Sequence, residues 1–181
     1  MTPITSFEKL ISLASNNKDY KVLEIGTKRS IANRTTHKKE IFPFASEYIL
    51  SDFEDGIDVD ILSNAERLSE TFEENHFDFI VSCSTFEHIK KMWLVPDEMW
   101  KILKPDGHVF VQTHHTFPLH AYPFDYWRFT KEAMQTLFDE PKWRTICCEY
   151  AYPCKVVSVE NPDGQNYPAF LNVNILTQAV K

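Results

Sequence analysis

At 181 residues the chain is long enough to bury a full core as one domain spanning residues 1–181, and its 43% hydrophobic and 14% aromatic content excludes a low-complexity chain. A formal net charge of -7 opposes a basic grip on phosphate backbones, so no nucleic-acid partner is expected. No stretch reaches the length of a membrane span and the N-terminus lacks a secretory pattern, so the expectation is a cytoplasmic protein without a membrane partner.

The first predicted element is a helix. Thr5-Ser6-Phe7-Glu8 has the form of a capping box, and Phe7, Leu10, Ile11 and Ala14 recur at helical spacing. Tyr20-Lys21-Val22-Leu23-Glu24-Ile25 reads as a short buried strand followed by Gly26. Residues 27–45 are polar and basic and predict a loop with at most a short helix. Tyr48-Ile49-Leu50-Ser51-Asp52 predicts a second strand, and Ile57-Asp58-Val59-Asp60-Ile61 a short third one. Ser63-Asn64-Ala65-Glu66 is another capping-box match, opening a helix that carries Leu68 and Phe72.

Phe77-Asp78-Phe79-Ile80-Val81-Ser82 is the clearest central strand. A helix carrying Met99, Ile102 and Leu103 stops at Lys104-Pro105-Asp106-Gly107, because proline disfavours helix in the residue before it. His108-Val109-Phe110-Val111-Gln112-Thr113 predicts a further strand, and Thr130 caps a helix bearing Ala133, Met134, Leu137 and Phe138. Two late strands fall near 144–151 and 171–180, separated by Asn161-Pro162-Asp163-Gly164-Gln165-Asn166. Strands alternating with helices imply a largely parallel α/β sheet covered on both faces, with its site outside the carboxyl ends of the strands.

Those strand ends hold the chemistry-bearing residues. Gly26 lets backbone approach a ligand closely, and Glu24 beside it can hold an amine or a ribose. Asp52 stands where doubly wound folds place an acid for ribose hydroxyls; the plainer alternative is that it makes a turn with Asp55-Gly56. Cys83, Cys147, Cys148 and Cys154 show no CxxC spacing and read as reduced thiols.

Phe77 to His88 with its Phe-Asp-Phe-Ile-Val start and Glu87-His88 end, followed after a helix by Leu103-Lys104-Pro105-Asp106-Gly107, closely resembles the class I S-adenosylmethionine-dependent methyltransferases. Val22-Leu23-Glu24-Ile25-Gly26 is similar to that family's first motif, and Tyr48 to Ile61 to its second and third. His120-Ala121-Tyr122-Pro123-Phe124-Asp125-Tyr126-Trp127-Arg128-Phe129-Thr130 resembles an H-x-YP-x-DYWRFT run of one small single-domain subgroup. The resemblance implies a Rossmann-like methyltransferase fold, a mostly parallel sheet flanked by helices and ending in an antiparallel C-terminal hairpin.

It further implies S-adenosylmethionine as cofactor, with Gly26 and Thr27 along its methionine moiety and Glu24 near its amino group. Asp52 would accept from the ribose hydroxyls, the Asn64-Ala65 segment would lie beside the adenine, and Ser82, Cys83 and Ser84 would floor the site. The departures from the family pattern are Lys28 and Ser30, which occupy places where most relatives have glycine. They restrict how closely the loop can approach a ligand.

On the acceptor side, His114, His120 and Asp125 are candidate catalytic groups, able to take a proton from a hydroxyl acceptor. His115, Tyr122, Tyr126, Trp127 and Arg128 are candidates for binding the substrate. The structural alternatives are packing for Tyr126 and Trp127 and an Asp125–Arg128 ion pair. His114, His115 and His120 within seven residues raise a zinc site, but no metal is expected, because adjacent His114 and His115 on a strand end point to opposite sides. Glu87-His88 reads as structural, and Cys83 as a small packed residue.

The function these features imply is S-adenosylmethionine-dependent methyl transfer to a small-molecule acceptor. By the subgroup resemblance this is a sugar or surface-polysaccharide precursor hydroxyl, in a chain that could form a homodimer. The alternative is a non-catalytic methyltransferase-like binding or assembly protein with a degenerate cofactor pocket, motivated by Lys28 and Ser30. A dinucleotide-dependent oxidoreductase is disfavoured by the missing glycine-rich fingerprint.

Overall fold

The computed structural model describes residues 4–160 and 167–181. The expected polar separator at 161–166 lies outside the described residues.

Helix α1, Ser6–Asn16, starts at the expected capping box: Glu8 N donates to Thr5 Oγ1 at 3.2 Å, and Thr5 N donates to Glu8 Oε2 at 2.8 Å. Its Leu10 and Ala14 are fully buried. Strand β1, Tyr20–Ile25, lies between parallel strands β2, Ala45–Asp52, and β4, Phe77–Cys83. Val22, Leu23, Ile80 and Val81 are wholly buried, which is why these strands are continuous apolar runs rather than alternating ones.

Strand β3, Ile61–Leu62, pairs with the end of β2 and begins where the expected 57–61 strand ends. Strand β5, Leu103–His114, is parallel to β4 on one side and antiparallel to β7, Tyr167–Ala179, on the other. Strand β6, Trp143–Val156, pairs antiparallel with β7, so a long hairpin forms the far edge. The sheet order is β3-β2-β1-β4-β5-β7-β6. Chain order reverses between β1 and β4, so the crevice lies where Gly26 and Ser82 meet, with Ile25 paired to Ser82.

Helix α2, Val95–Ile102, and helix α3, Lys131–Leu137, cover one face around Phe86, Met99, Val109, Phe129 and Trp143. Helix α1 covers the other, with Phe42, Phe79 and Phe110. The expected helix after Asn64 is instead a kinked 3-10 segment over Ala65–Glu70. Its Ser69 N–H and hydroxyl donate to Glu98 Oε2 at 2.9 and 2.7 Å, so an α-helical acceptor is not needed. Leu103, expected in the helix of α2, opens β5. Among the described residues no helix is long and apolar enough to cross a membrane.

Candidate active site

The loop after β1 is tied to the end of β2. Gly26 N and Thr27 N both donate to Ser51 O, at 2.8 and 3.2 Å, with Gly26 in the left-handed region at φ 83. Thr27 is buried and its hydroxyl donates to Asp58 O at 2.6 Å, so this side chain holds the loop and does not line the crevice as expected. Asp52 Oδ2 accepts from Lys28 N at 2.9 Å, and its Oδ1 from Glu54 N at 3.1 Å. Asp52 therefore ties the turn that follows β2, the plainer of its two readings. Lys28 runs across Gly56 to pair with Glu54 at 2.5 Å, and Arg29 makes a two-pronged pair with Asp58 at 2.8 and 3.0 Å. Ser30 is exposed. A loop poor in glycine is thus held by polar tethers to residues 51–58.

Glu24 is buried beneath that loop. Its Oε2 accepts from Tyr48 Oη at 2.5 Å and from Lys38 N at 2.7 Å. Burial raises the carboxyl above its ordinary value, against the opposing pull of these two donors. Glu24 is therefore already partnered within the protein.

Beside Asp52 a shallow depression is lined by Phe53, Leu62, Ser63, Asn64 and Thr71. Phe53 is 72% exposed and Leu62 55%, unusual for large apolar side chains at the mouth of a crevice. Asn64 Oδ1 accepts from Glu66 N at 2.9 Å, which leaves its amide nitrogen as the free group; Ala65 is buried behind it. Phe53 and Leu62 were not among the sequence candidates. The available signal was an apolar residue directly after Asp52 inside an otherwise polar turn.

At the end of β4, Ser82 is fully buried and its Oγ has no hydrogen-bond partner among the described residues. Burial pushes the neighbouring Cys83 thiol up to about 12, which keeps it protonated and agrees with a packed residue.

Beyond β4 and β5 lies a second group. Glu87 is fully buried; its Oε2 accepts from Thr113 Oγ1 at 2.7 Å, while its Oε1 has no hydrogen-bond partner. His114 Nε2 stands 3.1 Å from that Oε1, and the His114 ring stacks flat on Phe117 at 3.9 Å. Burial lowers the His114 ring below its ordinary value, opposed by Glu87. His120 approaches both, its ring 5.3 Å from His114 and 4.8 Å from His88. The backbone of the later aromatic run fixes this arrangement, because Tyr126 N and Trp127 N both donate to Glu87 O, at 2.8 and 3.2 Å. Glu87, read from sequence as structural, anchors the aromatic run through its backbone and also stands within this group, with His88 at its edge.

The remaining candidates divide. Asp125 is clamped by Arg128 at 2.7 and 2.9 Å and accepts from His120 N at 2.9 Å. The Arg128 guanidinium, with the His120 amide, holds the Asp125 carboxyl far below its ordinary range, so Asp125 is a poor proton acceptor and serves as an anchor. Arg128 also donates to Phe117 O and Pro118 O, at 3.2 and 3.0 Å, so the expected ion pair is an internal brace and not a free substrate-binding charge. Trp127 packs against the core and donates to Ile89 O at 3.0 Å. His115 turns to the other side, as expected, with Nδ1 at 2.8 Å from Phe129 O and its ring on Tyr150. Tyr122 is 96% exposed and Tyr126 partly so, which leaves these two hydroxyls free at the rim.

Residues 5–151 match the family model described as a methyltransferase domain. No curated protein matches the chain. Among solved structures, the YcgJ protein of Bacillus subtilis shares 18% identity over 97% of both chains with a TM-score of 0.67. A putative methyltransferase of Bacillus halodurans shares 14% identity over 94% of this chain and 96% of its own, at a TM-score of 0.63. The methyltransferase CalH, in a complex with SAH, shares 13% identity over 94% of this chain and 55% of its own, again at 0.63. At these identities the likeness is one of fold.

Proposed function

The chain belongs to the methyltransferase domain family, whose cofactor is S-adenosylmethionine, and from that premise we propose that it transfers a methyl group to a hydroxyl of a small molecule. The observation that carries this reading is the carboxylate of Asp52 at the end of β2 beside the open depression of Phe53, Leu62 and Asn64.

The residues present fit the adenosine end of the cofactor. Each Asp52 oxygen already accepts one backbone N–H and keeps a second lone pair for a ribose hydroxyl. Phe53 offers a face for stacking, and the Asn64 amide nitrogen a donor to a ring nitrogen. At the methionine end the backbone at Gly26 borders the crevice, while Ser82 is fully buried and Glu24 acts through the loop it supports. When bound, the cofactor supplies an electrophilic methyl group. The chain's own work is to align the acceptor and exclude water.

The acceptor side is the group around Glu87 and His114. A hydroxyl entering from the rim at Tyr122 and Tyr126 meets the imidazole of His120, which stands beside His114 and the buried Glu87 and can take the hydroxyl proton as the new bond to carbon forms. A sugar or polysaccharide precursor suits this site, because exposed aromatic and hydroxyl side chains at the rim match the faces and hydroxyls of a glycan.

Calorimetric titration of the protein with S-adenosylmethionine and with its demethylated product tests the reading. The expected result is one binding site, weakened at least tenfold in Asp52→Asn. No heat of binding at millimolar ligand would overturn it and favour the non-catalytic alternative.

A further inference from the structure

Three histidines surround the buried Glu87 with their hydrogen-bearing nitrogens turned outward. His114 Nδ1 lies 3.0 Å from Asn172 Oδ1, His120 Nδ1 3.1 Å from Pro118 O, and His88 Nδ1 2.8 Å from Phe124 O. Each of these oxygens accepts, so each Nδ1 is placed to donate, and Nε2 is the ring nitrogen left without a hydrogen-bond partner among the described residues. His114 Nε2 is 3.1 Å, and His88 Nε2 3.8 Å, from Glu87 Oε1. Neither nitrogen is aligned as a hydrogen bond to that oxygen, which is fully buried and has no hydrogen-bond partner among the described residues. Arg128, whose charge reaches Glu87, is already paired with Asp125.

A cation resolves all of this together. We propose that Glu87, His114 and His120 hold a divalent metal ion of the zinc type, with His88 at the edge of its open position. One ligand atom from each of the three lies within 4.8 Å of the other two. Ligands about 2.0–2.2 Å from a tetrahedral ion stand roughly 3.3–3.6 Å apart, so closure needs only small side-chain movements. The His114 and Glu87 atoms are close but not aligned as a hydrogen bond, as expected of two ligands aimed at a third point. Imidazole nitrogens joined by one carboxylate are a borderline donor set that suits zinc, and the outward Nδ1 contacts are the supporting shell that orients ligating histidines. The Phe117 ring stacked on His114 shields one side. The adjacent pair His114-His115 is indeed no chelate; the partners of His114 come from the end of β4 and from six residues further along the chain.

Metal binding does not rest on the methyl-transfer reading. Where both hold, the ion's open position faces the acceptor, and a hydroxyl bound there loses its proton to water more readily.

The test is titration of the chelator-treated full chain with Zn2+ alone, followed by the absorption spectrum of the Co2+ form. One equivalent is expected to bind, and His120→Ala, in a partly exposed loop position, should weaken binding roughly 100-fold or more, beyond the usual effect of losing a supporting contact. Glu87→Gln should do the same. His76→Ala, at the opposite ends of the strands, should leave binding unchanged. Absence of stoichiometric uptake, equal uptake by His120→Ala, or a thiolate charge-transfer band that puts Co2+ on cysteine would each overturn the site. Zinc uptake without cofactor binding would sink the methyl-transfer reading alone, and cofactor binding without zinc uptake would sink this one alone.

Discussion

Thr85, in the turn after β4, fills the space where a side chain on Gly26 would stand: a Cβ at position 26 would lie 1.9 Å from Thr85 Oγ1. The two strand ends that frame the crevice therefore close on each other through this one missing atom. The glycine serves the protein's own packing as much as any approach of a ligand.

Gly26→Ala should destabilise the fold by about 2–4 kcal/mol, combining a left-handed backbone penalty with overpacking. Urea unfolding measures it. Adding Thr85→Gly should recover the packing part and leave the backbone part. Full recovery would show that φ 83 carries no cost here.

Glu24 gives stability an unusual pH slope. Its folded carboxyl is raised above 4.5 by burial, so the folded state holds the proton more tightly than the unfolded chain. This contribution is complete below 4.5 and is lost as pH rises through the raised folded value. Glu24 Oε2 accepts both bonds, so a glutamine oxygen can replace it. Glu24→Gln should gain on the wild type as pH climbs from 4.5 to neutrality, read as melting temperature. A constant difference between the two proteins would refute this.

Phe53→Ala should weaken cofactor binding by about 1–3 kcal/mol, the usual worth of a base on an aromatic face. Because Phe53 is 72% exposed, the melting temperature should barely move. Unchanged affinity would remove the adenine from this depression.

Arg128→Lys should loosen residues 117–125. A lysine is a point charge and cannot serve Asp125, Phe117 O and Pro118 O together as the guanidinium fork does. Faster proteolytic cleavage within this segment, with the cut site identified by mass spectrometry, is the expected readout.

Thiol labelling should be slow in the native protein. Burial pushes Cys148 up to about 12 and Cys147 up to about 11, and Cys83 matches Cys148. At pH 8 the thiolate fraction at the higher value is on the order of 1 in 10,000, so alkylation of these three should rise sharply in urea. Rapid native alkylation of Cys83 would contradict the packed environment.

The local signals in the sequence proved reliable where local physics decides. The capping box at Thr5 and the cap at Thr130 act through bonds within one turn, and both form; the box expected at Ser63 does not, Asn64 accepting from Glu66 N instead. The apolar runs of β1 and β4 had to be central strands, since a strand buried on both faces needs apolar residues throughout. The segment after Asn64 departed from expectation because Glu98, distant in sequence, supplies the acceptor that an α-helix would otherwise provide.

By itself, then, the sequence determined the order of strands and helices, the glycine turn after β1 and the acid at the end of β2. These follow from periodicity and from neighbours a few positions apart. Only the tertiary structure decided which polar groups are spent and which remain. Thr27, Asp125 and Arg128 are consumed by partners across the loops, whereas Ser82 Oγ and Glu87 Oε1 are left bare. Glu87, His114 and His120 lie far apart in the chain or on successive loops, and no spacing rule relates them. Their convergence depends on β4 and β5 running parallel, so that both strands end at the same rim.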